Sequence, residues 1–232
     1  MNSDMSLKNL PTELLKINRR QSFLHGAALA YLCLSSSAQS QTSRQKYASK
    51  LLILGDSLSA EYGLKRGTGW VSLLAQRMSQ THPQFQVINA SISGDTTASG
   101  RSRLPTLLHQ HQPSHLIIEL GGNDALRGLP LKQTQANLSD MIQTAKKQAC
   151  QVLLVGMQVP PNYGAQYTQQ FESMFKHVAQ SQKITLAPFL LKGIADIPDA
   201  SQFFQADRIH PNELAQPKML ENVWTIARTW LE

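Results

Sequence analysis

The strongest structural signal in this chain is the segment Leu51-Leu52-Ile53-Leu54-Gly55-Asp56-Ser57-Leu58-Ser59. Its four leading apolar residues are too few for a helix and run directly into a Gly-Asp-Ser turn. This pattern predicts a buried strand that ends in a tight loop. In open α/β sheets, ligands bind in the crevice outside the carboxyl ends of the strands. Ser57 is therefore a candidate nucleophile, provided that a base can reach it.

Strand-like and helix-like patterns alternate along the rest of the chain. Short apolar runs predict strands at residues 50–54, 85–90, 115–120, 152–157 and 184–188. Apolar residues at helical spacing predict helices around residues 70–78, 131–148, 171–179 and 219–231. The loop after residue 90 offers Asp95 or Thr96 as the cap of a further helix. This alternation predicts an α/β domain with a five-stranded parallel sheet covered by helices on both faces.

Composition limits the function classes. The chain has 232 residues, of which 41% are hydrophobic and 16% charged, as in an ordinary globular protein. Its formal charge of +7 is dispersed, without a Lys/Arg run or a recognition motif, so we expect no nucleic-acid partner. The sequence also lacks a Gly-rich phosphate loop, which argues against nucleotide chemistry.

The N-terminus resembles an export signal. Lys16, Arg19 and Arg20 precede the apolar run 23–34, and small residues follow up to Ala38. This order predicts a signal peptide at 1–38, a polar linker at 39–48 and one domain at 49–232. An uncleaved membrane anchor is the alternative. We expect a periplasmic or secreted protein with no stable membrane span once the signal has been cleaved.

The two cysteines cannot form a disulfide bond within the predicted mature chain. Cys33 lies in the predicted signal, which leaves Cys150 alone. Cys150 directly precedes an apolar strand, and we interpret it as a small core residue.

Four loops contain a combination of residues suited to acyl transfer. Ser57 offers a nucleophile, His210 a base that titrates near neutrality, and Asp207 a carboxylate that can orient the base. The backbone N–H groups of Ser57 and Gly94, with the side-chain amide of Asn123, can form an oxyanion hole. Hydrolysis of an ester or thioester needs this set of groups.

Each of these features has an ordinary structural interpretation when taken alone. Gly94 can serve a turn, Asn123 can cap a helix, and Asp207 with His210 can be a surface ion pair. Asp56 is expected to bond within its own loop. His109, His111 and His115 lack a supporting ligand pattern, so no metal site is predicted. The order and spacing of all four loops together favour a hydrolase.

At these positions the sequence resembles the SGNH hydrolases, also called GDSL-type esterases or lipases. The four residues that give the family its name correspond to Ser57, Gly94, Asn123 and His210. The resemblance is closest to the multifunctional bacterial acyl-CoA thioesterase/lysophospholipase subgroup. It rests on Gly55–Ser59, Asn89–Thr96, Glu119–Asp124, Asn162–Gly164, Ile209–Asn212 and Ala215–Pro217.

The resemblance implies a three-layer α/β/α flavodoxin-like fold, a Ser57–His210–Asp207 triad, and no metal or cofactor. It implies activity on small-molecule thioesters, esters and lysophospholipids, and we expect a monomer. Because family members place the loop after the fourth strand beside the acyl pocket, Val159, Pro160 and Tyr163 are predicted to bind substrate.

Three positions depart from the subgroup pattern, namely Glu61, Ala125 and Arg208. None removes a catalytic atom, but Ala125 is expected to stiffen a loop, and Glu61 or Arg208 to alter headgroup or CoA preference. The sequence therefore predicts a serine hydrolase of esters and thioesters that acts through an acyl-serine intermediate. Two alternatives remain open: a narrower arylesterase or carbohydrate deacetylase, and a non-catalytic flavodoxin-like binding module.

Overall fold

The structure is a computed structural model and describes residues 48–232. The predicted signal peptide, Cys33 and all but the last residue of the predicted linker lie outside the described residues. The strands are β1 (Ser49–Gly55), β2 (Phe85–Asn89), β3 (His115–Glu119), β4 (Gln151–Val155) and β5 (Thr185–Ala187). The α-helices are α1 (Trp70–Thr81), α2 (Thr97–His111), α3 (Gly122–Leu126), α4 (Leu131–Lys146), α5 (Ala165–Gln182) and α6 (Gln216–Trp230).

The five strands form one parallel sheet in the order β2-β1-β3-β4-β5. Helices α1 and α6 pack against each other, whereas α4 packs against both α2 and α5. These two groups cover the sheet, so the predicted three-layer α/β/α fold is confirmed. The strand order reverses between β1 and β3, and a crevice forms at such a switch point.

Burial on both faces explains why the central strands consist almost entirely of apolar residues. Leu51, Leu52, Ile53 and Leu54 of β1 are all fully buried, although successive side chains point to opposite faces. Leu116, Ile117 and Ile118 of β3 are buried to the same extent. A parallel sheet with helices on both sides requires this continuous apolar run. The strands were predicted from the same runs in the sequence.

The predicted element boundaries agree with the structure to within three residues, except that α5 begins six residues before the predicted helix, and α2 and α3 are additions. Thr96 caps α2 by accepting a hydrogen bond from the Ser99 N–H, as the sequence suggested. Pro105 lies inside the helix and interrupts the helical pattern. Gly100 packs so closely on the sheet layer that a Cβ there would collide with Leu120. No helix within 48–232 is long and apolar enough to cross a membrane.

Candidate active site

The four predicted loops all lie at or beside the carboxyl ends of the strands. Ser57 directly follows β1, Gly94 lies in the loop after β2, and Asn123 lies in α3 just beyond β3. Asp207 and His210 lie in the turn before α6, where the Gln205 N–H donates to the His210 carbonyl at 2.8 Å. Because β2, β1 and β3 are adjacent in the sheet, their ends converge on one crevice.

Ser57, His210 and Asp207 form a continuous hydrogen-bonded chain. The Nε2 atom of His210 lies 2.9 Å from the Ser57 Oγ, and its Nδ1 lies 2.6 Å from the Asp207 Oδ2. With the Nδ1 proton donated to Asp207, the Nε2 lone pair faces the serine hydroxyl. Both distances are those of direct hydrogen bonds, so a proton can pass from the hydroxyl to the ring.

Local hydrogen bonds hold Asp207 ionised and fix its direction. Its Oδ1 accepts the backbone N–H groups of Ile209 at 2.9 Å and His210 at 3.0 Å. These bonds, together with the ring of His210, lower the pKa of Asp207 to about 2. Arg208 has a φ of 58°, a left-handed conformation that turns the chain so that both N–H groups point at the carboxylate.

Hydrogen bonds made by the buried residue Asp56 stabilise the turn that contains Ser57. The Asp56 carboxylate accepts the Leu58 N–H at 3.0 Å, and the Asp56 carbonyl accepts the Ala60 N–H at 2.9 Å. The predicted local bonding of Asp56 is thus confirmed. Gly55 has no room for a side chain, because a Cβ there would lie 2.7 Å from the Ser59 Oγ.

Glu119, the last residue of β3, supports this turn from below and was not singled out by the sequence. Its carboxyl is fully buried and accepts the Ser59 hydroxyl at 2.7 Å and the Asp56 N–H at 3.4 Å. Burial, followed by repulsion from Asp56, raises the pKa of Glu119 well above its ordinary value. Folding therefore shifts this carboxyl towards its protonated form relative to the unfolded chain. Its other oxygen, Oε1, has no hydrogen-bond partner among the described residues.

Asn123 connects the segments that contain the predicted oxyanion donors. Its side-chain amide donates to the Asp95 carbonyl at 3.0 Å and to the Asp56 carboxylate at 2.9 Å. Asp95 follows Gly94, and Asp56 precedes Ser57. Burial raises the pKa of Asp56 to about 6, against hydrogen bonds from Leu58 and Asn123 that favour its ionised form. Both amide hydrogens of Asn123 are therefore engaged within the protein.

A second buried carboxylate anchors the helix that contains Asn123. Asp124 accepts the backbone N–H of Thr97 at 2.8 Å and the hydroxyl of Thr134 at 3.1 Å, and it also accepts the Thr97 hydroxyl. Asn137 donates to the same Thr97 hydroxyl at 3.0 Å. This network joins α3 to α2 and α4, so Asn123 projects from a rigid support rather than from a free loop.

Tyr62 is a further contact of the histidine that the sequence gave no reason to select. Its ring centroid lies 4.3 Å from that of His210, with the two planes tilted by 39°. Gln205 donates to the Tyr62 carbonyl at 2.8 Å, which ties the loop after Ser57 to the turn before α6. Tyr62 therefore restricts the rotation of the imidazole on its solvent side.

The residues predicted to bind substrate follow β4, as expected, and differ in exposure. Val159 is almost fully buried, Pro160 is exposed, and Tyr163 is half-buried with its ring stacked on Tyr167. Met157, from the same segment, lies 4.0 Å from the position of a Cβ on Gly122. The segment after β4 thus reaches the neighbourhood of Asn123 through Met157.

The three positions that depart from the subgroup pattern have different surroundings. The Glu61 carboxylate accepts the Gly69 N–H at 2.8 Å and the Ser72 hydroxyl at 2.7 Å, so it organises the loop before α1. An effect of Glu61 on headgroup or CoA preference stays a prediction. Ala125 is buried within α3, and the Arg208 side chain is exposed.

The histidines considered for a metal are dispersed. His109 and His111 end α2, whereas His115 begins β3 and packs edge-on between Phe85 and Trp230. Within residues 48–232, no group of three or more potential ligand side chains could hold a metal ion. Cys150 is buried, and burial raises the pKa of its thiol to about 12, which disfavours the nucleophilic thiolate.

Comparisons with known proteins agree with this geometry. A sequence model described as the GDSL-like Lipase/Acylhydrolase family matches residues 53–216. Esterase TesA of Pseudomonas aeruginosa is 44% identical over 88% of this chain and 96% of its own length. Thioesterase 1/protease 1/lysophospholipase L1 of Escherichia coli K12 is 42% identical over 76% of this chain and 82% of its own.

The solved structures agree with the sequence matches. A crystal structure of TesA superimposes with a TM-score of 0.74 at 46% identity, covering 78% of this chain and 98% of that one. The family match begins within β1, at residue 53, and extends beyond His210 to the first residue of α6. The chain therefore belongs to the GDSL-like lipase/acylhydrolase family and is an ester-hydrolysing enzyme.

Proposed function

We propose that this protein hydrolyses carboxylic esters and thioesters through an acyl-enzyme intermediate on Ser57. The observation that carries the proposal is the hydrogen-bonded chain from the Ser57 Oγ through His210 to the Asp207 carboxylate. A serine hydroxyl is a weak nucleophile at neutral pH, and an adjacent oriented base is what makes it reactive. This argues against the non-catalytic binding module.

In the first half-reaction, the Ser57 Oγ attacks the acyl carbon while His210 takes the hydroxyl proton. The tetrahedral intermediate collapses, His210 returns the proton to the leaving alcohol or thiol, and the acyl group stays on Ser57. In the second half-reaction, His210 takes a proton from water and the resulting hydroxide attacks the acyl carbon. The tetrahedral intermediate then collapses with cleavage of the bond to the Ser57 Oγ, His210 returns the proton to that oxygen, and the carboxylic acid leaves. Asp207 stays ionised throughout, since its pKa is about 2, and stabilises the imidazolium in both halves.

The oxyanion is stabilised by the N–H groups of Ser57 and Gly94 and by the Asn123 amide. One of the two hydrogen bonds that Asn123 makes to Asp56 and Asp95 is exchanged for the substrate oxygen, and the other keeps the amide in place. Every proton and charge in these steps is handled by groups of this chain, so the proposal includes no metal or cofactor.

The substrate class follows from the relatives and from the loop after β4. One relative is named an esterase and another a thioesterase and lysophospholipase, which supports small-molecule acyl esters, thioesters and lysophospholipids as substrates. Val159, Pro160 and Tyr163 are proposed to contact the acyl chain. We further propose that residues 1–38 are an export signal, that the mature protein acts as a monomer, and that it acts in the periplasm on lipid-derived substrates.

Replacing Ser57 by Ala tests the nucleophile directly. The variant is expected to lose at least about three decades of kcat on p-nitrophenyl esters, acyl-CoA thioesters and lysophosphatidylcholine alike, because all three share one acyl-enzyme. An unchanged Tm shows that the loss is chemical. If the wild-type enzyme hydrolyses short esters only, the thioesterase and lysophospholipase assignment is wrong. If Ser57→Ala is fully active, the proposed mechanism is wrong.

Replacing Asn123 by Ala tests the oxyanion donor. Removal of one such donor typically lowers kcat by about 10²–10³-fold, and the effect on KM is expected to be small because the bond strengthens in the transition state. The measurement is steady-state kinetics on a soluble aryl ester, with Asn222→Ala, whose amide bonds the Leu190 and Lys192 carbonyls, as the control. A rise in KM at constant kcat in the Asn123 variant would contradict the assignment.

Replacing Glu119 by Gln tests whether this buried acid is neutral. The folded state holds the Glu119 proton more tightly than the unfolded chain, whose carboxyl has its ordinary pKa of 4.5, so stability is lost as the pH rises above that value. Gln keeps an acceptor for Ser59 and cannot ionise. The Tm advantage of Glu119→Gln over wild type is therefore expected to grow from pH 4 to pH 8, with activity retained.

The exposed-face variant Glu172→Gln is the matched control for that series, because its carboxylate pairs with Lys176 at the surface. Its Tm difference from wild type is expected to stay nearly constant with pH. A Tm difference for Glu119→Gln that is equally flat would show that Glu119 is not held neutral by the fold.

A further inference from the structure

We propose that the mouth of the active site is a docking surface for an anionic lipid surface. Within residues 48–232, the exposed large hydrophobic side chains are five, and all belong to loops or segments that carry the site. We call these five the apolar rim: Tyr62, Ile92, Leu126, Ile209 and Leu214. Each exposes between 48% and 67% of its surface. This inference deepens the proposed function and rests on it for the source of the substrate.

The placement of these residues follows from their contacts and from their distance along the chain. The Tyr62 ring packs at a tilt against that of His210, and Ile209 is adjacent to the same histidine. Ile92 lies two residues before Gly94, and its N–H donates to the Gly55 carbonyl at 3.1 Å. Leu126 ends α3, which contains Asn123, and Leu214 lies in the short turn between His210 and α6.

Single exposed hydrophobic residues are common on protein surfaces and have no special meaning. A set confined to the surroundings of one crevice is different, since clustered exposed apolar side chains mark interaction sites. Here the set comes from four separate chain segments, so no single local motif accounts for it. None of the five lies at the opposite edge of the sheet, where the strands begin.

Exposed basic side chains belong to the same chain segments as the apolar rim and indicate the chemistry of the partner. Lys65, Arg66, Arg127 and Arg208 are exposed on the same segments, and Arg127 donates to the Gly94 carbonyl at 2.8 Å. Six carboxyl groups lie on the same segments, but Asp56, Asp95 and Asp124 are buried, which leaves three others against the four exposed basic side chains. Asp207 is bound to His210, Glu61 is bound within its loop, and Glu213 is exposed beside Leu214.

This combination of side chains fits a phosphate-rich lipid surface. Leu, Ile and Tyr side chains can enter the boundary between headgroups and acyl chains, while Lys and Arg contact the phosphates. Docking in this orientation places Ser57 against the surface, so an acyl substrate can enter the crevice without crossing bulk water. The formal charge of +5 for residues 39–232, which remain after removal of the proposed signal, acts in the same direction at long range.

The test is partitioning onto vesicles of phosphatidylcholine with one quarter phosphatidylglycerol, measured by co-sedimentation at low ionic strength. The protein is used as recovered from the expressing cell, with its N-terminus defined by mass spectrometry and identical in every variant. Leu126→Ser/Leu214→Ser and Lys65→Gln/Arg66→Gln are each expected to weaken partitioning on the order of tenfold. Lys147→Gln/Lys183→Gln, at exposed positions on the opposite end of the sheet, is the matched control and is expected to partition as wild type does.

Two further measurements separate docking from catalysis. The apolar and the basic double variants are both expected to hydrolyse a soluble short-chain aryl ester at the wild-type rate. Ser57→Ala is expected to bind vesicles as wild type does. Failure of the esterase with intact vesicle binding would reject the proposed function and leave the docking surface standing. Wild-type protein that does not bind the anionic vesicles, or rim variants that bind as well as wild type, would show that the docking proposal is wrong.

Discussion

The hydrogen bond from the Ser59 hydroxyl to the buried Glu119 carboxyl holds the turn on which the whole site depends. It joins the end of β1 to the end of β3 at 2.7 Å, and Gly55 leaves the space in which it forms. Burial and the neighbouring Asp56 raise the pKa of Glu119, because an ionised carboxylate here would have to be stabilised in an apolar interior. This turn directs the Ser57 hydroxyl into the crevice.

Sheet topology then determines which groups meet that hydroxyl. With β1 between β2 and β3, the loops that contain Ser57, Gly94 and Asn123 emerge side by side. Asp56 and Asp95 hold Asn123 between the two neighbouring loops, and Asp124 attaches its helix to α2 and α4. The histidine arrives from a segment far along the chain. It is fixed by Asp207 on one ring nitrogen and by Tyr62 on its face.

Local patterns predicted much of this arrangement. The strands were evident because buried parallel strands are continuously apolar, and the pair Asp207 and His210 because three residues suffice for a turn that joins them. Glu119 and Tyr62 could not be selected in this way, since their importance comes from contacts with residues some 60 and 148 positions away. The bonds of Asn123 to Asp56 and Asp95 were equally invisible, because they depend on strand order. The bounds of α2 were obscured by Gly100 and Pro105, which break the apolar spacing of that helix.

The central claim is that an acyl group resides covalently on Ser57 during turnover. The most direct measurement is mass spectrometry of the wild-type enzyme, quenched in acid within milliseconds of mixing with a p-nitrophenyl ester. The account predicts a mass increase equal to one acyl group, located by peptide mapping on the segment that contains Ser57 and absent from Ser57→Ala. Turnover with no adduct at any quench time, or an adduct on another residue, would contradict it.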